Sequence, residues 1–285
     1  MPNCNALGGW IASVGVAESI DLIVTDLDGT LWNAEERIHQ RTLEAVMGLE
    51  SRGLPLLAAT GRRLRSAATI LARSDLFPPT VALDGAMGRE LATGRSFHEC
   101  TFELEAGTQV LKAFRRRGVE PCVYVDLPQV EVFVGECPST SSRHLANIGS
   151  WLGRGDLDRV VAEERVFAFG VAAGDPVTLT AVIGDLGGWA SGTVTRDLYY
   201  GGATLMVRPR ATSKWEGVLA WCADQGLDPG RVLAVGDGEN DIELLSAAAV
   251  SCVVSDGCEA ALALADHVIE PATQGGWSAI IDLLG

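Results

Sequence analysis

The chain has 285 residues, a formal net charge of −15, 47% hydrophobic residues and 21% charged residues. That length suits two modest domains, and the balance is that of a soluble globular chain able to bury a core without disulfides. The acidity argues against nucleic acids and anionic membranes as partners, because both call for Lys/Arg patches.

Cys4, Cys100, Cys122, Cys137, Cys222, Cys252 and Cys258 are odd in number and form no C-x-x-C pair, so neither zinc spacing nor a disulfide framework is visible. Reduced thiols point to a cytoplasmic setting. Residues 1–19 lack the basic start of a secretory signal and read as an N-terminal tail. No charge-free apolar run reaches about 18 residues, so no membrane span is expected.

From residue 20 the chain alternates strands and helices. Leu22–Thr25 reads as a short strand ending in Asp26-Leu27-Asp28-Gly29-Thr30. Helical spacing follows over His39–Arg52, then an apolar run, Leu54–Ala59, ending at Thr60-Gly61-Arg62. A helix over Arg63–Arg73 and a strand over Thr80–Leu83 close this part, 20–85.

The stretch 86–205 differs, and reads as an inserted α+β domain. Hairpins are expected at Glu90–Ala92 with Ser96–Glu99 and at Tyr124–Asp126 with Glu131–Gly135. Further strands are expected at Arg165–Ala173, Thr193–Tyr200 and Thr204–Val207, and helices at Phe102–Arg117, Ser141–Trp151 and Pro176–Leu186. Strand–helix alternation resumes over 206–285. It runs through helix Lys214–Gln225, strand Val232–Val235, the turn Gly236-Asp237-Gly238-Glu239-Asn240-Asp241, helix Ile242–Ala248, strand Val250–Val254, helix Glu259–Ala265, strand His267–Ile269 and a last helix from Trp277. Such alternation predicts an α/β fold with a Rossmann-like parallel sheet and helices on both faces.

In that fold the carboxyl ends of the strands line up at one edge, where ligands bind. The motifs after residues 25, 59 and 235 should converge there. A carboxylate such as Asp26 can attack phosphorus, and a second acid, Asp28, can protonate the leaving oxygen and later activate water. Gly29 permits the tight turn. The alternative is an acidic turn that merely closes a strand. Asp237 and Asp241 add carboxylates, and three or four acids beside a phosphate call for a cation; oxygen ligands of this kind suit Mg²⁺. The alternative there is a solvated loop capping a helix.

Thr60 and the Gly61 N–H can bind phosphate oxygens, although Thr60 also suits a helix N-cap. Lys214 can add positive charge, and lysine in a first helical turn opposes the helix dipole, which points to a specific role.

In this order the four motifs resemble the haloacid dehalogenase (HAD) superfamily: Asp26-Leu27-Asp28-Gly29-Thr30, Thr60-Gly61-Arg62, Lys214, and Gly236 to Asp241. The insert resembles the C2B-type α/β cap of the Cof-like phosphatases, and Asp256–Leu284 resembles that group's ending. The resemblance implies Asp26 as nucleophile and Mg²⁺ ligand, and Asp28 as general acid/base with its backbone carbonyl on the metal. It implies Thr60, Gly61 and Lys214 on the phosphoryl group, Asp237 on Mg²⁺, Asp241 in support directly or through water, and Asn240 on phosphate or metal.

Three positions depart from the group's pattern: Asp84 for Asn, Trp215 for Gly, and Ser255-Asp256-Gly257 for Gly-Asn-Ala. Asp84 is compatible with a polyol substrate. Arg143, His144 and Arg165 are candidate substrate contacts in the cap, against a reading as ordinary solvated surface. Tyr199, Tyr200 and Trp189 could stack on a sugar or pack in a core.

The implied activity is hydrolysis of a small phosphate ester, such as a sugar phosphate or glycosylated phosphate. A phosphomutase of the same fold and a non-catalytic phosphate- or metal-binding regulator are the alternatives.

Overall fold

A computed structural model of the chain describes residues 20–197 and 199–284; the expected tail over 1–19 lies outside the described residues. In chain order the strands are β1 (Leu22–Thr25), β2 (Leu56–Ala59), β3 (Pro79–Ala82), β4 (Met87–Glu90), β5 (Ser96–Glu99), β6 (Cys122–Tyr124), β7 (Val132–Val134), β8 (Leu152–Arg154), β9 (Ala168–Gly174), β10 (Ala190–Arg196), β11 (Ala203–Pro209), β12 (Val232–Gly236), β13 (Val250–Val254) and β14 (His267–Ile269).

They form two sheets. The first has the order β14-β13-β12-β1-β2-β3-β4-β5 and the second β10-β11-β9-β6-β7-β8. In the first sheet β1 lies between β2 and β12, parallel to both. The chain leaves β1 toward β2 and β3 on one side and returns to β12, β13 and β14 on the other. The β1–β12 boundary is therefore the switch point, where the strands' carboxyl ends open a crevice.

The continuous apolar runs exist because this sheet is buried on both faces. Ile23, Ala58 and Leu233 pack on one side with Val46, Leu49, Ile70 and Trp277. Leu22, Val24 and Leu57 pack on the other with Val218, Trp221 and Leu244. Each such buried aliphatic contributes about 1.5–3 kcal/mol over the exposed state.

Several elements differ from expectation. The β4–β5 hairpin, expected in the insert, pairs with the first sheet through antiparallel β3–β4 contacts such as Val81 with Gly88. A Cβ at Gly88 would overlap the Phe97 ring, so the glycine lets the hairpin close over this edge. The second sheet accordingly begins only at β6 and runs on to Pro209, rather than spanning 86–205. β10 stops at Arg196 instead of reaching Tyr200. The Asp197 carboxylate accepts from the Tyr199 and Tyr200 N–H groups and the Thr204 hydroxyl, which turns the chain. The second body also contains strand β8 and a helix over Leu157–Glu163, N-capped by Asp156, beyond the expected elements.

No helix is long and apolar enough to cross a membrane among the described residues. The described cysteines are all free thiols.

Candidate active site

The loop after β1 fixes two acids at the crevice. The Asp26 N–H donates to the Val235 carbonyl across the switch point (2.8 Å). The Leu27 carbonyl accepts from Leu31 and Trp32 N–H (3.0 Å each), which curls the chain back on itself. Gly29 sits at φ +79, and a Cβ there would collide with the Asp237 carboxylate. Gly29→Ala combines left-handed strain with that collision. It is expected to cost about 1–3 kcal/mol and to displace Asp237; thermal unfolding and a divalent-cation titration check the two effects.

Thr60 ends β2. Its hydroxyl accepts from the Arg62 N–H (3.1 Å) and its carbonyl from the Asp84 N–H (3.1 Å); it is not the helix N-cap expected of it, because the next helix starts at Leu64 with Arg63 as its cap residue. Leu83 and Asp84, just after β3, both adopt left-handed backbone (φ 52 and 51). Strain of this kind concentrates at functional sites. It turns the buried Asp84 carboxylate to accept from Asn240 Nδ2 at 2.9 Å.

Lys214 opens its helix behind Asp26. The Ser213 carbonyl packs so closely on Gly85 that no Cβ fits there, which sets the helix against the end of β3. The ammonium is fully buried and donates to Asp26 Oδ1 and Asp241 Oδ1, each at 2.6 Å. The other oxygen of Asp241 accepts from the Asp237 and Gly238 N–H groups (3.0 Å each). Asp241 is thus saturated by the protein and braces the loop after β12.

Asp26, Asp237 and Asp241 each bring a carboxylate oxygen to within 4.8 Å of the others, so they could hold a cation. Asp28 is outside that group; its expected share is a backbone carbonyl.

The charges show what the cluster lacks. Burial pushes the Asp26 carboxyl up to about 8; the Lys214 ammonium opposes the rise, and the Asp241 and Asp28 charges add to it. Burial, then Asp26 and Asp241, hold Asp237 well above the usual carboxylate range. Burial works against the Lys214 charge, yet Asp241 and Asp26 keep it above the ordinary lysine value. One ammonium does not balance three crowded acids.

The Asp28 carboxylate takes a forked pair from Arg62, with Nε to Oδ2 and Nη2 to Oδ1 at 2.6 Å each. Trp32 Nε1 (3.0 Å) and the Tyr199 hydroxyl (3.3 Å) also donate to Oδ1. Arg62 lies between the Trp32 and Tyr199 rings, 5.5 and 4.8 Å from their centroids. Burial disfavours its charge, but Asp28 and Glu36 hold its pKa above the ordinary arginine value. Sequence reasoning missed this clamp. The available signal was Trp32 four residues after Asp28, together with the arginine of the second motif.

These groups line a cleft of about 1050 Å³ between the two sheets, with Asp26, Asp28, Thr60, Gly61, Asp84, Asp237 and Asn240 on one wall. The second sheet supplies the other. His144 lines it, with its pKa pushed down to about 4 by burial and then by the Arg63 charge. Its Nε2 is buried without a partner among the described residues. Tyr199 and Tyr200 also line the cleft rather than filling a core, whereas Trp189 is exposed elsewhere.

Arg143 is exposed and lies 5.8 Å from the Tyr200 ring centroid at the margin. Arg165 is not brought to the cleft; it pairs with Glu99 at the junction of the two bodies. Arg63 with Glu131 and Arg89 with Asp126 are further ion pairs across that junction.

A sequence profile of haloacid dehalogenase-like hydrolases matches residues 23–130 and 195–281. The chain is similar to the phosphoglycolate phosphatase of Methanopyrus kandleri, 24% identical over 258 residues that cover 87% of this chain and 90% of that protein. It is also similar to the chloroplastic endoribonuclease YBEY of Arabidopsis thaliana, 25% identical over 266 residues. That match covers 86% of this chain but spans only 43% of the longer protein.

Among solved structures it resembles a HAD-superfamily phosphatase from Bacteroides thetaiotaomicron, with a TM-score of 0.76 at 20% identity, covering 97% of this chain and 99% of that one. A subclass IIB sugar phosphatase of the superfamily gives a TM-score of 0.73 at 20% identity, covering 92% and 98%. At this identity the structural likeness speaks for the fold.

Proposed function

The chain belongs to the haloacid dehalogenase-like hydrolases and is a phosphatase of that family, and from that premise we propose that it hydrolyses a small phosphomonoester, a sugar phosphate or glycosylated phosphate, through an aspartyl-phosphate at Asp26 with Mg²⁺ bound. The observation that carries this reading is the meeting of Asp26, Asp28, Thr60 and Asp237 at one switch-point crevice, with Lys214 holding Asp26 from behind.

Lys214 fixes Oδ1 of Asp26, leaving Oδ2 to attack. As the Asp26–phosphorus bond forms, the ester P–O bond breaks, its electron pair goes to the leaving oxygen, and that oxygen takes a proton from Asp28. Water then attacks phosphorus and gives a proton to Asp28, and the electron pair of the acyl-phosphate P–O bond returns to Asp26. Thr60 and the Gly61 N–H hold the phosphoryl oxygens, with Asn240 beside them. A proton donor such as Asp28 suits an oxygen leaving group, which fits a hydrolase of esters rather than of carbon–halogen bonds.

Hard carboxylate oxygens and an excess of buried negative charge fit Mg²⁺. Asp26 and Asp237, with the Asp28 carbonyl, would hold it, and Asp241 would brace the loop. When bound it supplies charge neutralisation and polarises the phosphoryl group.

A carboxyl raised in the fold stabilises nothing. Its penalty is absent below the unfolded value of 3.8, grows as pH climbs, and is complete above about 8. The metal-free protein should therefore lose stability over that window. Mg²⁺ should raise Tm more at pH 8 than at about pH 5; equal shifts in calorimetry at both would speak against metal binding at these acids.

For the substrate, the second wall of the cleft offers the His144 Nε2, Thr195 and Asn147 as neutral hydrogen-bonding groups suited to hydroxyls. The reading is tested by a screen of phosphate esters. Release of inorganic phosphate from sugar phosphates, with no isomerised sugar phosphate formed, supports it. Turnover that yields only the isomer would make the chain a mutase.

A further inference from the structure

The second body reaches into the acid–base machinery itself. The turn between β10 and β11 places the Tyr199 hydroxyl on Asp28 Oδ1 at 3.3 Å. The other donors to that carboxylate among the described residues, Trp32 and Arg62, come from the first body.

The two oxygens of Asp28 are unequal. Oδ1 receives Arg62 Nη2, Trp32 Nε1 and the Tyr199 hydroxyl, which exceeds its lone-pair capacity for any further partner. Oδ2 has Arg62 Nε as its one donor among the described residues, and so retains an open lone pair. Only Oδ2 is left to exchange a proton with a substrate oxygen.

We propose that Tyr199 is a positioning residue for the phosphatase reaction. With the second body seated over the crevice, its hydroxyl completes the set of donors that fixes the rotation of Asp28 and leaves Oδ2 facing the leaving oxygen. The acid–base group is thus fully organised only when the two bodies are together, which keeps its proton transfer tied to an occupied, covered site. The Arg62 guanidinium, stacked 4.8 Å from the Tyr199 ring, holds the ring over the carboxylate. The inference rests on Asp28 as the acid/base of the proposed hydrolysis.

The test uses leaving groups of different need. A p-nitrophenolate departs without a proton, whereas an alkoxide requires one, and kcat/KM reports the steps through departure. Tyr199→Phe keeps the ring and removes the hydroxyl. It should lower kcat/KM for glycerol phosphate by about tenfold while kcat/KM for p-nitrophenyl phosphate stays within about twofold, which also shows the fold and the covered site to be intact. Asp28→Asn should give the same split, larger.

Equal losses on both substrates in Tyr199→Phe, or no loss on either, overturn the inference. If Asp28→Asn still shows the split, the phosphatase reading survives that failure. If Asp28→Asn shows no split, the reading of Asp28 falls, and the role of Tyr199 falls with it.

Discussion

Asp26→Asn should reduce turnover of any phosphate ester by at least about 10⁴-fold while leaving the fold intact. The replacement is isosteric, and Asn can still accept from the Lys214 ammonium through its carbonyl oxygen. What it lacks is a nucleophilic carboxylate, and no other acid stands in its place. Asp237 is not held from behind by an ammonium, and Asp241 has both oxygens occupied by Lys214, Asp237 N–H and Gly238 N–H. Steady-state assays with p-nitrophenyl phosphate and circular dichroism check the two halves of the statement. A variant with wild-type turnover would place the nucleophile elsewhere.

Lys214→Met should have the largest effect on stability. The ammonium is the cation in contact with both Asp26 and Asp241, and all three groups are buried. Removing one partner of a buried ion network leaves uncompensated charge, at a cost of about 3–5 kcal/mol. The sign with pH follows from the same groups. Asp26 is already raised to about 8 with Lys214 opposing the rise, so its loss drives that carboxyl further up. The Asp26 share of the destabilisation should be absent below about pH 8, where that carboxyl is protonated in both folded proteins, and should grow as pH rises above it. Urea unfolding of metal-free wild type and variant on both sides of that pH gives the difference directly. A gap that does not widen as pH rises would mean that Lys214 contributes packing rather than charge.

The first body was largely legible in the sequence, because it is buried on both faces. Leu22–Thr25 and Val250–Val254 are strands as read, and Lys214–Gln225 a helix as read; runs with no polar interruption admit few other placements. Parallel order then forces Asp26, Thr60 and Asp237 to one edge, so their convergence follows from the strand pattern itself.

The second body was harder. Its boundary moved because β4 and β5 form a short hairpin, and the pairing of β4 with β3 is known only from the fold. Its turns also rest on side-chain bonds, such as those of Asp197, that hydrophobic periodicity does not record.

Within the site, residue type announced the acids but not their partners. The arginine of the second motif was a signal for Arg62 on Asp28 across 34 positions, but nothing in the spacing reveals that Tyr199 reaches it across 171. Arg165 shows the reverse error. A cation in the inserted region looked available for substrate, and the fold spends it on Glu99 at the junction of the two bodies.

Phosphorus should bond transiently to Asp26 during turnover. The direct measurement is rapid acid quench of the enzyme mixed with Mg²⁺ and a phosphate ester, followed by peptide mass spectrometry. Asp28→Asn serves alongside wild type, because slowing the water step should let the intermediate build up. A phosphoryl group on Asp26 should form and decay within turnover in wild type and persist in Asp28→Asn. A phosphoryl group on any other side chain, or none in either protein while ester is consumed, would contradict it.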